Sequence, residues 1–215
     1  MMKSRTRARQ IVLTAAAGLM AAAVLAACST TAPAIKRYDF GIPPAASADA
    51  ARTVGANPEV TVSAPIWLDT PAVLYRLGYA DESQLHAYAQ TQWVAAPSRL
   101  LEQALLASSL KDDPRACSAG GGPPVRLDVN LQEFSQAFDS PSDSHVVLRA
   151  KVRMLSTRTH AVLAQRQFDL RAAAPASDGP GAVHGLRDLA HAFAASALAW
   201  AASCPADTSG AQSQR

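Results

Sequence analysis

The feature that most constrains the fold is a regular alternation of apolar and polar residues in three consecutive segments between Val125 and Leu170. A period of two places successive side chains on opposite faces of a β-strand. The apolar positions are Val125, Leu127, Val129 and Leu131; then Val146, Leu148, Ala150, Val152 and Met154; then Val162, Ala164, Phe168 and Leu170. Short polar connections at 139–144 and 156–160 predict an antiparallel meander with one apolar and one polar face.

Two segments with helical spacing supply the cover that the apolar face needs. The later one carries an apolar stripe and ends at Cys204-Pro205; its stripe consists of Val183, Leu186, Ala190, Phe193, Ala197 and Trp200. The earlier one starts at Pro97 and places Leu101, Ala104 and Leu105 on one face. We therefore predict the α+β class, a mostly antiparallel sheet with two helices packed on one face.

Further strands are predicted upstream of Pro97. Arg37–Phe40 reads as a short edge strand, and a strand starting at Val60 ends at a proline. Val73–Ala80 and Leu85–Trp93 are typical of a hairpin, with the polar residues Asp81–Gln84 as its turn.

This region also holds most of the large aromatic residues. Five of the seven Trp and Tyr residues lie within it: Trp67, Tyr75, Tyr79, Tyr88 and Trp93. Such residues either fill the core of the hairpin or act as anchors of a protein interface, where Trp and Tyr dominate the binding energy. Together with Arg76 they form the candidate partner-binding set, and the sequence leaves both alternatives open.

The N-terminus carries an export signal. Basic residues from Lys3 to Arg9 precede an uncharged stretch, Ile11–Ala23, and the motif Leu25-Ala26-Ala27-Cys28 that follows resembles a bacterial lipobox. This pattern predicts that residues 1–27 are removed and that Cys28 is lipidated with diacylglycerol and palmitate. The alternative is an ordinary secreted protein cut near Ala22-Ala23, with Cys28 free.

Removal of the signal changes the charge of the remaining chain. The full sequence has 20 Lys and Arg against 17 Asp and Glu, but four of the basic residues precede Cys28. The remainder has no basic excess, so nothing in it favours nucleic acid as a partner. We predict a flexible tether at 28–36, one domain at 37–204 and a disordered tail at 205–215. In an oxidising compartment Cys117 and Cys204 are a candidate disulfide pair.

No catalytic or cofactor-binding pattern is visible. The chain lacks a Gly-x-Ser-x-Gly elbow, a Walker A sequence and a Gly-x-Gly-x-x-Gly turn. His184 and His191 are seven residues apart on one helix, too far to share a metal ion as residues at i, i+4 do. His86, His145 and His160 fall at hairpin or turn positions, where we expect them to be solvated. Arg149, Lys151 and Arg153 share one strand face. Such a basic stripe could meet lipid phosphates or an acidic partner; the alternative, which we favour, is a solvated face balanced by Asp128 and Asp169. We predict a protein that is not an enzyme and holds no metal or cofactor.

The segment from Val60 to Leu105 resembles the auxiliary lipoproteins of ABC-type transport systems. The residues that carry the resemblance are Val62-Ser63-Ala64-Pro65, Trp67-Leu68-Asp69, Leu74-Tyr75-Arg76, Tyr79-Ala80, Leu85, Tyr88-Ala89, Trp93 and Pro97-x-x-Leu100-Leu101. Members of this family accompany an ATPase, a membrane permease and a substrate-binding protein of the mammalian-cell-entry type.

The resemblance implies an accessory protein that acts by protein contact in lipid transport between two membranes. Its implied partners are the mammalian-cell-entry-type protein and the permease–ATPase complex, and self-association stays open. Ser29 stands where an aspartate commonly retains lipoproteins in the inner membrane, so the resemblance implies anchoring to the outer membrane on its periplasmic side. The alternative function is an envelope-integrity lipoprotein with no transporter partner.

Overall fold

The structure is a computed structural model that describes residues 34–41, 59–108 and 125–203. Contacts divide the chain into two units, Met1–Ala34 and Ile35–Arg215, and every element described belongs to the second. In chain order the elements are β1 Lys36–Tyr38, β2 Glu59–Ser63, β3 Ala72–Leu77, β4 Asp81–Trp93, α1 Pro97–Ser108, β5 Val125–Ser140, β6 Asp143–Ser156, β7 Val162–Ala173 and α2 Gly179–Ala202.

The seven described strands form one mixed sheet in the order β1-β4-β3-β5-β6-β7, with β2 paired to β5 as well. The long pairings are antiparallel: β3 with β4, β5 with β6, and β6 with β7. Shorter parallel pairings join β1 to β4, and β2 and β3 to β5. The predicted α+β class and meander are confirmed. The parallel joins were not predicted, because their partners lie far apart in sequence.

Strand β5 organises the sheet because it is long enough to pair with two strands along one edge. Residues Glu59–Ser63 pair with its first half, and Leu74–Leu77 pair with its second half. A register shift between Leu131 and Glu133 marks a bulge between the two halves. The bulge moves the buried positions from odd to even numbers, so that Phe134 and Gln136 are buried after Leu131. The alternation seen in the sequence therefore stops at the bulge.

Helix α2 covers the apolar face of the sheet. Asp178 caps its N-terminus by accepting a hydrogen bond from the Gly181 amide at 2.7 Å. A Cβ on Gly181 would lie 2.1 Å from the carbonyl oxygen of Ala176, so only glycine allows the loop to pass this closely. The predicted stripe is buried except Trp200, which is partly buried, and α1 packs against α2 and β2.

The predicted turn of the β3–β4 hairpin was wrong. The turn is formed by residues 78–80, and Leu77 pairs directly with Asp81. The next pair is Arg76 with Leu85, so residues 82–84 bulge out of β4. Nη1 of Arg76 donates to the carbonyl oxygens of Glu82 and Ser83 at 3.2 and 3.4 Å. The polar segment is thus stabilised as a bulge beside a tighter turn.

Several predictions lie outside the described residues. They include lipidation of Cys28, the disulfide between Cys117 and Cys204, and the tail at 205–215, and they remain predictions. Within residues 34–41, 59–108 and 125–203, neither helix combines the length and the apolar character that a membrane span requires.

Candidate partner-binding surface

An aromatic cluster lies where the β3–β4 hairpin joins β5. The Tyr75 ring is stacked on His86 with centroids 5.0 Å apart, and it contacts the Tyr88 ring at 4.6 Å and the Phe138 ring at 5.9 Å. Tyr75 is in register with His86 on one side and with Gln136 on the other, so these side chains share one face of the sheet. The cluster is only partly covered, because Tyr75, His86 and Tyr88 all keep some exposure.

A hydrogen-bond network centred on Gln136 holds the cluster in place. The Tyr88 hydroxyl donates to Oε1 of Gln136 at 2.6 Å, and Nε2 of Gln136 donates to Ser144 Oγ at 2.8 Å and to the carbonyl oxygen of Ala176 at 3.0 Å. Gln136 is fully buried, and these bonds satisfy both ends of its amide. Burial, and to a lesser extent the nearby Tyr75 and Asp178, raises the pKa of Tyr88 above its usual value. The hydroxyl therefore stays protonated and remains a donor.

Arg76 points to the opposite face of the same hairpin, since neighbouring residues of a strand alternate. Its Nη2 lies 3.3 Å from Oε2 of Glu133, and both side chains are mostly buried. Oε1 of Glu133 also accepts a hydrogen bond from Ser135 at 2.6 Å. The guanidinium carbon lies 6.0 Å from the centroid of the Trp67 ring, within the range of a cation–π contact. Arg76 thus joins the hairpin bulge to the loop that carries Trp67.

The loop between β2 and β3 exposes two large apolar side chains. The amides of Leu68 and Asp69 donate to the carbonyl oxygen of Pro65 at 2.9 and 3.0 Å, which makes a tight turn. Leu68 is fully buried, but Ile66 is 92% exposed and Trp67 is 42% exposed. Asp69 accepts a hydrogen bond from Ser98 of α1 at 2.8 Å, so the loop is attached to the helix as well. An exposed apolar pair on a fixed loop is suited to contact with another molecule.

Trp93 lies in the core and not at the surface. Its side chain is 1% exposed, and its ring packs against Phe40 at 5.2 Å and Phe134 at 5.8 Å. No partner can reach Trp93 in this fold, so we correct the candidate set by its removal. The hairpin surface, as the term is used below, consists of Trp67, Tyr75, Arg76, Tyr79 and Tyr88. Tyr79 is 49% exposed in the hairpin turn.

Both arginines of the basic stripe predicted on β6 are paired with acidic neighbours, as expected. Arg153 Nη2 lies 2.5 Å from Asp128 Oδ2, and Arg149 Nε lies 3.3 Å from Asp169 Oδ2. On the same face Arg126 pairs with Glu59 at 3.4 Å. These three arginines of the open sheet face are therefore paired with carboxylates, whereas Lys151 makes no ion pair among the described residues.

The histidines are spread over the molecule. His145 Nδ1 lies 2.8 Å from Asp139 Oδ2, and His191 Nε2 lies 2.8 Å from the carbonyl oxygen of Phe40. His160 and His184 are exposed, whereas His86 is half-buried with its Nε2 buried and without a hydrogen-bond partner, so His86 is not solvated as predicted. Among the described residues no three His, Cys, Asp or Glu side chains are grouped so as to hold a metal ion.

Comparison with known proteins defines the class of this protein. The model of a family described as the ABC-type transport auxiliary lipoprotein component matches residues 40–197. The chain therefore belongs to this family, as the resemblance of its sequence predicted. The description names a transport component and no catalytic activity. A search among curated proteins finds no significant match.

Two solved structures share the fold. One is a protein from Xanthomonas campestris, 16% identical, with a TM-score of 0.54; the match covers 69% of this chain and 88% of that one. The other is described as an uncharacterized protein, 14% identical, with a TM-score of 0.55; that match covers 78% of this chain and 98% of the other. At these identities the similarity extends to the fold alone.

Proposed function

We propose that this protein is an accessory lipoprotein of an ABC-type, mammalian-cell-entry lipid transport system, anchored by Cys28 to the outer membrane and facing the periplasm. The observation that supports it most directly is the family match over residues 40–197. In this proposal the domain has no catalytic role and acts by contact with the mammalian-cell-entry-type protein or with the permease–ATPase complex.

The hairpin surface is the proposed contact. Trp67 and Tyr79 combine large exposed area with positions on short, hydrogen-bonded turns, so they lose little conformational entropy when a partner binds. Arg76 is fixed by Glu133 and by the bulge in β4, and it brings the Trp67 loop and the hairpin into one rigid unit. The contact is centred on Trp67, Arg76 and Tyr79, because Tyr75 and Tyr88 lie on the opposite face of the hairpin from Arg76. Exposed Trp and Tyr together with Arg are the residue types in which interface hot spots are enriched.

Recovery of partners from membranes tests the contact. The acylated protein is isolated from envelopes that also contain the ATPase, the permease and the mammalian-cell-entry-type protein, and the bound partners are quantified. Trp67→Ala and Tyr79→Ala should each weaken binding about 30-fold, as the loss of a hot-spot residue does. Val162→Ala is the matched control, because Val162 is similarly exposed, at 41%, but lies on β7.

The outcomes separate the two candidate functions. Equal recovery from the wild type and both variants would remove the hairpin surface as the contact. Recovery of no transport component by the wild type would favour the envelope-integrity alternative.

Anchoring is tested independently. Radiolabelled palmitate should be incorporated into the wild type and not into Cys28→Ala. Fractionation of the two membranes should place the wild type in the outer membrane, and Ser29→Asp should shift it to the inner membrane. A labelled wild type that stays in the inner membrane would leave the lipid anchor intact and contradict the proposed location.

A further inference from the structure

A groove of about 260 Å³ lies between β1 and the first turns of α2. Its walls include Arg37, Tyr38 and Asp39 on one side and His184 and Arg187 on the other. The two walls are held together by backbone and ring contacts. The carbonyl oxygen of Phe40 is 2.8 Å from His191 Nε2 on α2, and the carbonyl oxygen of Tyr38 accepts from the Val94 amide at 2.8 Å.

The groove is lined by two guanidinium groups, and among the described residues only one of them is paired with a carboxylate. Within the part of the chain that the structure describes, Arg37 makes no ion pair. Arg187 directs Nε and Nη2 to Oδ1 of Asp188, both at 3.0 Å. Asp39 also lines the groove, but its Oδ1 accepts from the Gly41 amide at 2.9 Å within its own turn. Arg37 thus brings to the groove a guanidinium group that is unpaired within the described residues, whereas Arg187 is paired with Asp188 in the same way as the arginines of the open sheet face are paired with their carboxylates.

Exposed apolar side chains lie beside these cations. Ile35 directly precedes β1 and is 50% exposed, and Val94 lines the groove and is 55% exposed. Lys36, also exposed, adds a third basic residue next to Arg37. A surface on which basic groups adjoin apolar side chains suits the boundary between lipid head groups and acyl chains.

The groove also lies close in sequence to the proposed lipid anchor. Arg37 follows Cys28 by nine positions. Even when fully extended, a segment of this length spans only about 30 Å. An anchored Cys28 therefore keeps the groove within about 30 Å of the membrane surface, so that the domain can bring Arg37 and Arg187 into contact with the phosphates there.

We propose that the groove between β1 and α2 binds the phosphate of an anionic phospholipid head group in the membrane to which the protein is anchored. Arg37 and Arg187 supply the charge, and Ile35 and Val94 contact the apolar margin of the lipid. This contact would orient the domain on the bilayer and would leave the hairpin surface free for a partner. That the phosphate belongs to a membrane lipid rests on the anchoring proposed above. Binding of a phosphate ester in the groove does not depend on that anchoring.

Titration of the full acylated protein in non-ionic detergent tests the inference. The ligands are short-chain phosphatidylglycerol, short-chain phosphatidylcholine and glycerol 3-phosphate, and heat release reports binding. Phosphatidylglycerol should bind most tightly, with an affinity that falls as salt is added. The double variant Arg37→Gln/Arg187→Gln should bind it about 30-fold more weakly, as expected when two basic residues beside an anionic surface are neutralised.

Matched variants make the result specific. Arg149 and Arg171 both lie beside Asp169, at 3.3 and 3.6 Å, on the open sheet face. Arg149→Gln/Arg171→Gln therefore removes the same charge away from the groove and should keep wild-type affinity, and Arg37→Lys/Arg187→Lys should retain most of the binding. Equal loss in both Gln variants, or no binding of phosphatidylglycerol by the wild type, would overturn the proposal. If glycerol 3-phosphate binds as tightly as phosphatidylglycerol, the proposal that the phosphate comes from a membrane lipid is overturned. Mass spectrometry of Cys28 in the same sample reports the anchor separately.

Discussion

The Tyr88 hydroxyl reaches over β3 to donate a 2.6 Å hydrogen bond to Oε1 of Gln136, the fully buried amide on β5. One strand lies between the two residues, and the Tyr75 ring packs against the Tyr88 ring along the way. Gln136 continues the network to Ser144 and to the loop that leads into α2. The hairpin is therefore coupled to the helix layer through polar groups as well as through apolar packing.

Replacement of Tyr88 by Phe should destabilise the domain by about 1–3 kcal/mol, because Oε1 of Gln136 would be buried without a donor. Urea denaturation followed by circular dichroism measures the change. Tyr75→Phe is the control, since it keeps the stacked ring and removes a hydroxyl for which no hydrogen bond is seen among the described residues. Equal stability of both variants would contradict the role assigned to the Tyr88 bond.

The same hydrogen bond makes the free energy of unfolding depend on pH in the alkaline range. Burial raises the pKa of Tyr88 above its usual 10.0, so the folded state holds the proton more tightly than the unfolded state does. This contribution is fully present below pH 10.0 and is lost as the pH rises beyond it. The free energy of unfolding should therefore fall above about pH 10 in the wild type, and this part of the fall should be absent in Tyr88→Phe. Denaturation at a series of alkaline pH values measures the difference.

Truncation of Trp93 should lower the stability of the domain, whereas truncation of Tyr79 should leave it nearly unchanged. Trp93→Ala removes a ring that packs against Phe40 and Phe134, so it should cost about 3–5 kcal/mol and lower the melting temperature. Tyr79→Ala removes a side chain that is 49% exposed, so it should change stability by less than about 0.5 kcal/mol. Thermal unfolding of both variants measures this. A marked loss of stability in Tyr79→Ala would show that its ring packs into the fold.

Gly181→Ala should destabilise the start of α2. Its new Cβ would meet the backbone oxygen of Ala176, which cannot move aside as the end of a flexible side chain can. We expect a loss of about 1–3 kcal/mol, the usual range for overpacking. Ser196→Ala, at an exposed position of the same helix, is the control and should have little effect. A Gly181→Ala variant as stable as wild type would mean that the loop before α2 relaxes freely.

Thiol titration of the denatured, unreduced protein tests the Cys117–Cys204 disulfide. A bridge leaves neither of these thiols reactive until a reductant is added, and its reduction should lower stability by ~4 kcal/mol, the entropy cost of a long loop. Two reactive thiols before reduction, beyond any from Cys28, would contradict the prediction.

Most elements of the fold were predictable from the sequence because each has a local cause. The alternation of β5 to β7 and the stripe of α2 repeat with the periods of strand and helix, and both are found. The hairpin turn was placed wrongly because polar residues are common to turns and to bulges. The strand register, in which Leu77 pairs with Asp81, and the contacts of Arg76 with the Glu82 and Ser83 carbonyl oxygens distinguish the two.

The candidate surface was predictable in its composition but not in its arrangement. The clustering of Trp and Tyr was visible in the sequence, whereas the burial of Trp93 depends on Phe40 and Phe134, which lie far from it along the chain. Tyr75 and Arg76 are adjacent, yet they face opposite sides of the sheet. The alternation of side chains along a strand predicts that the two residues face opposite sides. Which of them faces the helices is set by the pairing of β3 with β5.

By itself, the sequence determined most helices and strands of the described domain, its α+β class and its family, because periodicity, helix-start signals and the Val60–Leu105 motif are local properties. It did not determine the turn between β3 and β4 or the bulge in β5. Tertiary structure alone decided which aromatic residues are core, which arginines are paired with carboxylates, and that Arg37 and Arg187 line one groove. Those outcomes depend on contacts between residues tens to more than a hundred positions apart. Their energies arise only when the sheet is assembled and α2 is packed against it.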